Sequence, residues 1–236
     1  MSSISNPSFA YVGSELTLFE HAVNWKCYWS AQIAPYIAGD VLEVGAGIGA
    51  NTRLLTAPNK TRTPHQSWTC LEPDPLLAAR IPAGSAVLGG TIQSVVGLFD
   101  TILYIDVLEH IDDDAAEMAR AAAHLKPGGH LIVLSPAHSF LFTPFDAAIG
   151  HFRRYSRASL LEASSLAARL QVVRCDYLDC VGLIASLANR LLLRQAMPTE
   201  TQVLTWDRLM IPCSRVLDPM TFGRLGKSVL GIWRRS

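Results

Sequence analysis

The segment VLEVGAGIGANT (41–52) restricts the fold more than any other stretch of this chain. A short apolar run, broken by Glu43, ends at Gly45; Gly47 and Gly49 then lead into a helical pattern at 50–56. A strand that turns through glycines into a helix opens a βαβ unit. Its bare main chain lies close to whatever sits at the carboxyl edge of the sheet. Glycine suits that place because a side chain would fill the space.

Further strands read at SWTCLE (67–72), AVL (86–88), FDTILYI (99–105) and HLIVLS (130–135). Helical patterns cover 14–38, 75–80, 113–125 and 156–168, the third behind Asp112 as N-cap. KPGG (126–129) reads as a helix stop and turn. The runs at 101–105 and 131–134 are almost continuously apolar, as strands covered on both faces should be. Alternating strands and helices predict a parallel sheet with right-handed crossovers. LQVVRCDYL (170–178) and SVLGIW (228–233) predict a closing strand pair, the last antiparallel to the rest. Between them lies a mostly helical, apolar stretch at 180–225.

The chain has 236 residues, 50% hydrophobic and 17% charged. That excludes a disordered chain and allows one sizeable core, so a single domain over 1–236 is expected. Twenty basic side chains balance twenty acidic ones, which argues against a nucleic-acid partner. Residues 1–150 carry 7 basic and 14 acidic side chains, whereas 151–236 carry 13 basic, 12 of them Arg, and 6 acidic. The basic third is either a solvated face or a surface that meets an anion. Cys27, Cys70, Cys175, Cys180 and Cys213 show no Cys-x-x-Cys spacing. Neither a disulfide framework nor a metal site is expected, and a reducing, cytoplasmic setting is. MSSISNPSFA lacks a basic n-region, so no secretory leader is expected. The apolar run at 180–188 is too short to span a bilayer.

Two carboxylates accompany the glycines. Glu43 lies inside the first strand, where a buried charge is costly unless hydrogen-bonded or paired. Glu72 ends the second strand, well placed for two ribose hydroxyls. Taken alone the loop also fits a dinucleotide fingerprint with Ala50 at its third place, or a tight turn that holds no ligand.

The chain resembles a class I S-adenosylmethionine-dependent methyltransferase. VLEVGAGIGANT is similar to that superfamily's first motif and LEPDP (71–75) to its acidic loop. FDTILYIDVLEHI (99–111) is similar to its fourth motif and LKPGG (125–129) to its post-helix turn, all in the family's order. The resemblance implies an α/β, Rossmann-like fold. Its seven-stranded sheet has the order 3-2-1-4-5-7-6, with the last strand antiparallel, helices on both faces and a helical insert before that strand. It implies S-adenosylmethionine as cofactor. Gly45, Ala46, Gly47 and Gly49 would pass under the methionyl part and ribose, and Glu43 would lie near the sulfonium and amino end. Glu72 would hold the ribose hydroxyls, with Pro73 and Asp74 beside the adenine. Gly90, Thr91 and Ile92 stand where many members place an acid for the adenine amino group; no acid stands there. Tyr104, Ile105, Asp106 and Val107 would line the methyl-donor pocket.

Methyl transfer needs positioning, desolvation and, for a protonated acceptor, a proton sink. His110, His151 and Tyr155 are the candidates for that chemistry. The alternative for His110 is helix packing or an N-terminal hydrogen bond, while Glu109 is read as structural. In the family the segment 135–160 often walls the acceptor pocket; here it holds His138, Arg153 and Arg154. GHFRRYSR (150–157) resembles a stretch found in one bacterial branch. Two adjacent Arg make a fork for a carboxylate or phosphate, or else tie the loop to nearby acids. LFEHAVNWKCYW (18–29) resembles a helix that covers the cofactor in the same branch, so 1–38 is expected as a helical lid over the cofactor core (39–135), with Trp25 and Tyr28 as lid or core. The insert at 180–225 has three readings: a cap over an apolar substrate, a homodimer surface, or an interfacial helix on anionic lipid. Leu183, Ile184, Leu187, Leu191 and Leu192 would form its apolar face, flanked by Arg190, Arg194 and Arg208.

The expected function is methyl transfer to a small or lipid-like, anionic acceptor. The rivals are a nicotinamide-dependent oxidoreductase, which leaves Glu43, LEPDP and LKPGG unexplained, and a non-catalytic binding module. Nucleic-acid methylation is disfavoured because YIDVLEH (104–110) lacks an asparagine-proline-aromatic motif for an extruded base.

Overall fold

The computed structural model describes residues 15–57, 65–190 and 199–236. The N-terminal pattern divides where a single helix is expected. Helix α1 (Glu15–Glu20) stops at His21, and α2 (Val23–Ile33) restarts behind Ala22, which offers no side-chain cap. Asp207, far along the chain, supplies the cap instead. It accepts from Asn24 N–H (3.1 Å), Asn24 Nδ2 (3.1 Å) and Trp25 N–H (2.8 Å).

The first strand, β1 (Gly39–Val44), runs through the glycine loop into α3 (Ala50–Leu55). Then come β2 (His65–Glu72), α4 (Pro75–Ala78), β3 (Ala86–Gly89) and β4 (Phe99–Ile105). Helix α5 (Asp114–Ala123) is capped by Asp113, whose carboxylate accepts from Ala116 N–H at 3.1 Å. The expected cap, Asp112, instead receives Arg153. Strand β5 (Leu125–Pro136) begins five residues before its apolar run. The expected turn KPGG lies within it, as a register shift against β4 between Phe99 and Thr101.

Beyond β5 lie α6 (Pro144–Ala148), α7 (Arg157–Ala163) and β6 (Leu170–Leu178). The insert follows. It comprises α8 (Cys180–Ala188), α9 (Glu200–Thr205), a π turn at Trp206–Met210 and α10 (Ile211–Leu217). Leu191, Leu192 and Arg194 of its expected face lie outside the described residues. Strand β7 (Ser228–Arg235) closes the sheet.

The seven strands are ordered β3-β2-β1-β4-β5-β7-β6, as expected. Pairs from β3 to β5 are parallel, and β7 is antiparallel to both β5 and β6. The chain therefore reverses direction of travel across the sheet between β1 and β4, and a crevice at that point is where open α/β sheets place ligands. Alternate residues of the central strands feed two cores. Ile102, Tyr104, Leu131 and Val133 pack on the face that carries Met118 and Ala121 of α5. Leu103, Ile105, Ile132 and Leu134 pack on the face that carries Trp25 and Trp29 of α2 and Ile211 of α10. Burial on both faces is why these strands read as unbroken apolar runs.

Candidate active site

The glycine loop turns through left-handed backbone three times, at Gly45 (φ 65°), Gly47 (φ 56°) and Gly49 (φ 71°). A Cβ on Gly45 would come within 2.6 Å of Val107, so the loop and the end of β4 meet at main-chain distance. Glu72 locks the loop in place. Its Oε2 accepts from Gly47 N–H at 2.7 Å and its Oε1 from Asp74 N–H at 3.0 Å. Burial raises the Glu72 pKa, and the two N–H donors oppose that rise. Asp74 also caps α4, accepting from Leu76 N–H at 2.8 Å. Over the loop lies α1, with Leu16 3.6 Å from the space a Cβ on Gly47 would occupy.

Several expected cofactor residues face elsewhere. Glu43 is buried on the α2 side of the sheet. Its Oε2 accepts from Thr52 Oγ1 (2.7 Å) and Trp68 Nε1 (2.9 Å). Both donors are neutral, and desolvation pushes the carboxyl up to about 7. Tyr104 points into the opposite core, its hydroxyl donating to Glu117 Oε1 at 2.9 Å, so it does not line the crevice. Ile105 and Ile92 are core residues. Thr91 precedes the short helix at Ile92–Ser94, and Gly90 (φ 121°) turns against Ser94.

At the carboxyl edge the backbone is strained at one residue after each of three strands: Asp106 (φ 55°), His138 (φ 67°) and Asp179 (φ 69°). Such outliers persist only where surrounding contacts impose them. Asp106 is exposed by accessible area, yet enough protein surrounds it to desolvate its carboxyl. Desolvation raises the Asp106 pKa to about 6, and His151, Lys26 and Lys227 oppose the rise. Lys26 comes from α2, and Lys227 sits just before β7 with its ammonium 4.7 Å from the Trp206 ring centre. Burial lowers both lysine pKa values, against the pull of Asp106.

The stretch 150–155 clamps onto the stretch 108–114. Phe152 N–H donates to Glu109 O at 2.8 Å, and Tyr155 Oη donates to Asp114 Oδ2 at 2.7 Å. Arg153 reaches Asp112 O (2.6 Å) and Asp114 Oδ2 (2.8 Å). Arg154 forks onto buried Asp146, with Nε on Oδ1 (2.8 Å) and Nη2 on Oδ2 (3.0 Å). Both guanidiniums are thus committed to carboxylates of their own chain, the loop-tying alternative of the sequence. Tyr155 is buried, and that burial with Asp114 lifts its phenol well above the ordinary range. His138 is held between Phe140 (4.9 Å) and Tyr177 (4.6 Å), with Nε2 on Gly226 O at 2.9 Å.

His110 and His151 come together edge to face, ring centres 4.5 Å apart. His151 Nδ1 rests on Asp146 Oδ1 at 3.1 Å, which leaves Nε2 directed at Glu109 Oε1, 3.9 Å away. Burial and the neighbouring His151 lower the His110 pKa to about 4, while a hydrogen bond to the Gly150 backbone opposes the fall. A sequence model of the methyltransferase-domain family matches residues 28–173, more than half of the chain. The chain belongs to the methyltransferase-domain family. No curated protein matches the sequence. The fold is shared by the methyltransferase domain and solved structures of low identity. One was solved with the Trm112 methyltransferase activator of Haloferax volcanii (17% identity, TM-score 0.59, 94% of this chain and 91% of that one). A second is the N-methyltransferase NodS of Bradyrhizobium japonicum (16%, 0.52, 94% and 98%). A third is phosphoethanolamine N-methyltransferase 2 of Haemonchus contortus in complex with S-adenosyl-L-methionine (11%, 0.60, 94% and 57%).

Trp25 and Tyr28, expected as lid or core, are core in this methyltransferase domain. Trp25 packs on Trp206 at 5.8 Å, and Tyr28 donates to Asp218 Oδ2 at 2.7 Å. The element over the glycine loop is α1, through Leu16. The sequence reading missed Lys26 and Lys227. Lys227 had one signal, being the single Lys among the 13 basic residues of the last third.

Proposed function

We propose that the chain transfers a methyl group from S-adenosylmethionine to a small or lipid-like, anionic acceptor. The observation that carries the donor half is the clasp of Glu72 on Gly47 N–H at the point where the strand order reverses. The residues present fit the cofactor. Three left-handed glycines leave the main chain without side chains at those positions, and a carboxylate whose two oxygens each hold one N–H retains lone pairs for ribose hydroxyls. Gly45 to Gly49 and Glu72 would hold the nucleoside, with Asp106 and Val107 beside its amino acid end. The bound cofactor supplies an electrophilic methyl on a sulfonium. The chain's own residues position the acceptor and exclude water.

Support for an anionic acceptor comes from the end of β4, where the positive charges of Lys26, Lys227 and His151 act on Asp106. These groups replace Arg153 and Arg154 as the anion-facing residues. His151, oriented by Asp146, is suited to take a proton from an acceptor that carries one. Support for a lipid-like acceptor comes from the insert. Leu209, Val216, Met220 and Phe222 are exposed there beside exposed Arg208, Arg215 and Arg224, whereas Asp207 and Asp218 are buried. An apolar face fringed by arginines suits an anionic membrane surface. No helix among the described residues is long and apolar enough to cross a bilayer.

The test is incubation of the protein with methyl-labelled donor and acidic lipid or small-acid extracts, followed by mass spectrometry of the product. Lys227→Met is expected to depress turnover while leaving S-adenosylhomocysteine affinity intact. Labelled product confined to neutral or cationic molecules would overturn the acceptor assignment.

A further inference from the structure

We propose that Glu109, His110 and His151 form a binding site for a divalent transition-metal ion. Among the described residues they make one group of three in which each residue offers a ligand atom and all three atoms lie within 4.8 Å of one another. Two imidazoles and one carboxylate within that distance form a donor set for zinc, manganese, iron, cobalt or nickel.

A second observation points the same way. Glu109 is fully buried, and its Oε1 has no hydrogen-bond partner among the described residues, while Oε2 is held by Ser135 Oγ at 2.9 Å. An unpartnered buried carboxylate oxygen is costly, and a ligand is one way that cost is met. Oε1 faces His151 Nε2 at 3.9 Å. A shared ion would draw donors to about 3.0–3.4 Å from one another, given metal–ligand distances of about 2.1 Å.

The surroundings are those of a metal site. Asp146 holds His151 Nδ1 at 3.1 Å, a carboxylate–histidine arrangement that fixes the ring and leaves Nε2 to coordinate. Asp146 is in turn held by Arg154 at 2.8 Å and by Thr143 N–H at 2.8 Å. A hydrogen bond with the Gly150 backbone helps to hold the His110 ring. Three protein ligands leave coordination positions open, as catalytic sites do. The charge of Asp106 interacts with both Glu109 and His151 and would be felt at those positions. An oxygen of the acceptor would take one of them; that use rests on the methyltransferase reading, whereas metal binding itself does not. Cysteine spacing, the signal used to exclude metal from the sequence, does not report on this donor set.

The experiment uses the full chain, stripped with a chelator and titrated with Zn(II) and Co(II) by calorimetry and visible absorption. One equivalent is expected to bind, raise the Tm and give Co(II) bands in the visible. His151→Ala is expected to weaken binding at least about tenfold, while His21→Ala, on the exposed surface, leaves it unchanged. If His151→Ala does not fold, Glu109→Gln, which keeps the side-chain shape, takes its place in the comparison. Absence of binding to the stripped protein, or equal affinity in Glu109→Gln and the parent, overturns the proposal. S-adenosylhomocysteine titration of the same samples reads the methyltransferase assignment separately.

Discussion

Glu72 Oε2 receives the Gly47 amide at 2.7 Å, joining the end of β2 to the middle of the glycine loop. One carboxylate therefore shapes the loop and stands where the nucleoside is proposed to bind. Replacing Glu72 with Ala removes a charge-assisted hydrogen bond worth about 1.5–3 kcal/mol. S-adenosylhomocysteine is expected to bind roughly 10–150-fold more weakly by calorimetry. An unaltered Kd would remove Glu72 from the site.

Glu43 makes stability depend on pH. Its native pKa of about 7 lies above the ordinary 4.5, because burial penalises the charged form. Between those two values the native state holds a proton that the unfolded state has released. Stability therefore falls as pH rises from about 4.5 to about 7, by a total on the order of 3 kcal/mol. Glu43→Gln keeps an acceptor for Thr52 and Trp68 but cannot ionise. In urea unfolding at about pH 5 and pH 8, the variant is expected to lose less stability than the parent across that range. Parallel pH profiles for the two proteins would count against this account.

The adjacent arginines are expected to differ in worth. Arg154→Ala leaves Asp146, which is 1% exposed, without its counter-charge, a change that costs about 3–5 kcal/mol. Arg153 is one-third exposed and bridges Asp112, 83% exposed, and Asp114, 14% exposed, which Tyr155 also holds, so Arg153→Ala should cost about 1 kcal/mol, less than Arg154→Ala. Denaturant midpoints at one pH decide the matter. Equal losses for the two variants would contradict the difference in burial.

Asp207 links the insert to the start of α2 through three hydrogen bonds to Asn24 and Trp25. Asp207→Ala is expected to destabilise by about 1–2 kcal/mol, the scale of a lost helix cap. It should also speed protease cleavage within 15–33. Faster cleavage confined to the 200–217 stretch would mean that the insert, and not α2, depended on the contact.

The exposed arginines and apolar side chains of the insert predict binding to phosphatidylglycerol vesicles in preference to phosphatidylcholine, weakened by salt. Met220→Ser with Phe222→Ser is expected to reduce sedimentation with those vesicles several-fold. Co-sedimentation that is indifferent to lipid charge would argue against an anionic surface as the partner.

Periodicity and glycine placement made the βαβ unit, the two-sided strands at 101–105 and 131–134, and the loop with Glu72 legible in the sequence. These depend on spacing along a short stretch, where each residue's face follows from its neighbours. The motifs' resemblance extended that reading to the strand order later found in the sheet. What a buried polar group touches was not legible. Glu43 meets Trp68 and Thr52, Arg154 meets Asp146, Asp207 reaches back to Trp25, and Lys227 lies over Trp206. A desolvated charge takes whichever partner the topology brings within hydrogen-bond range, and many of those partners lie tens to hundreds of residues away. The sequence by itself determined the scaffold and its glycine loop. The tertiary structure decided which of the remaining charged residues face the cleft and which hold it in shape.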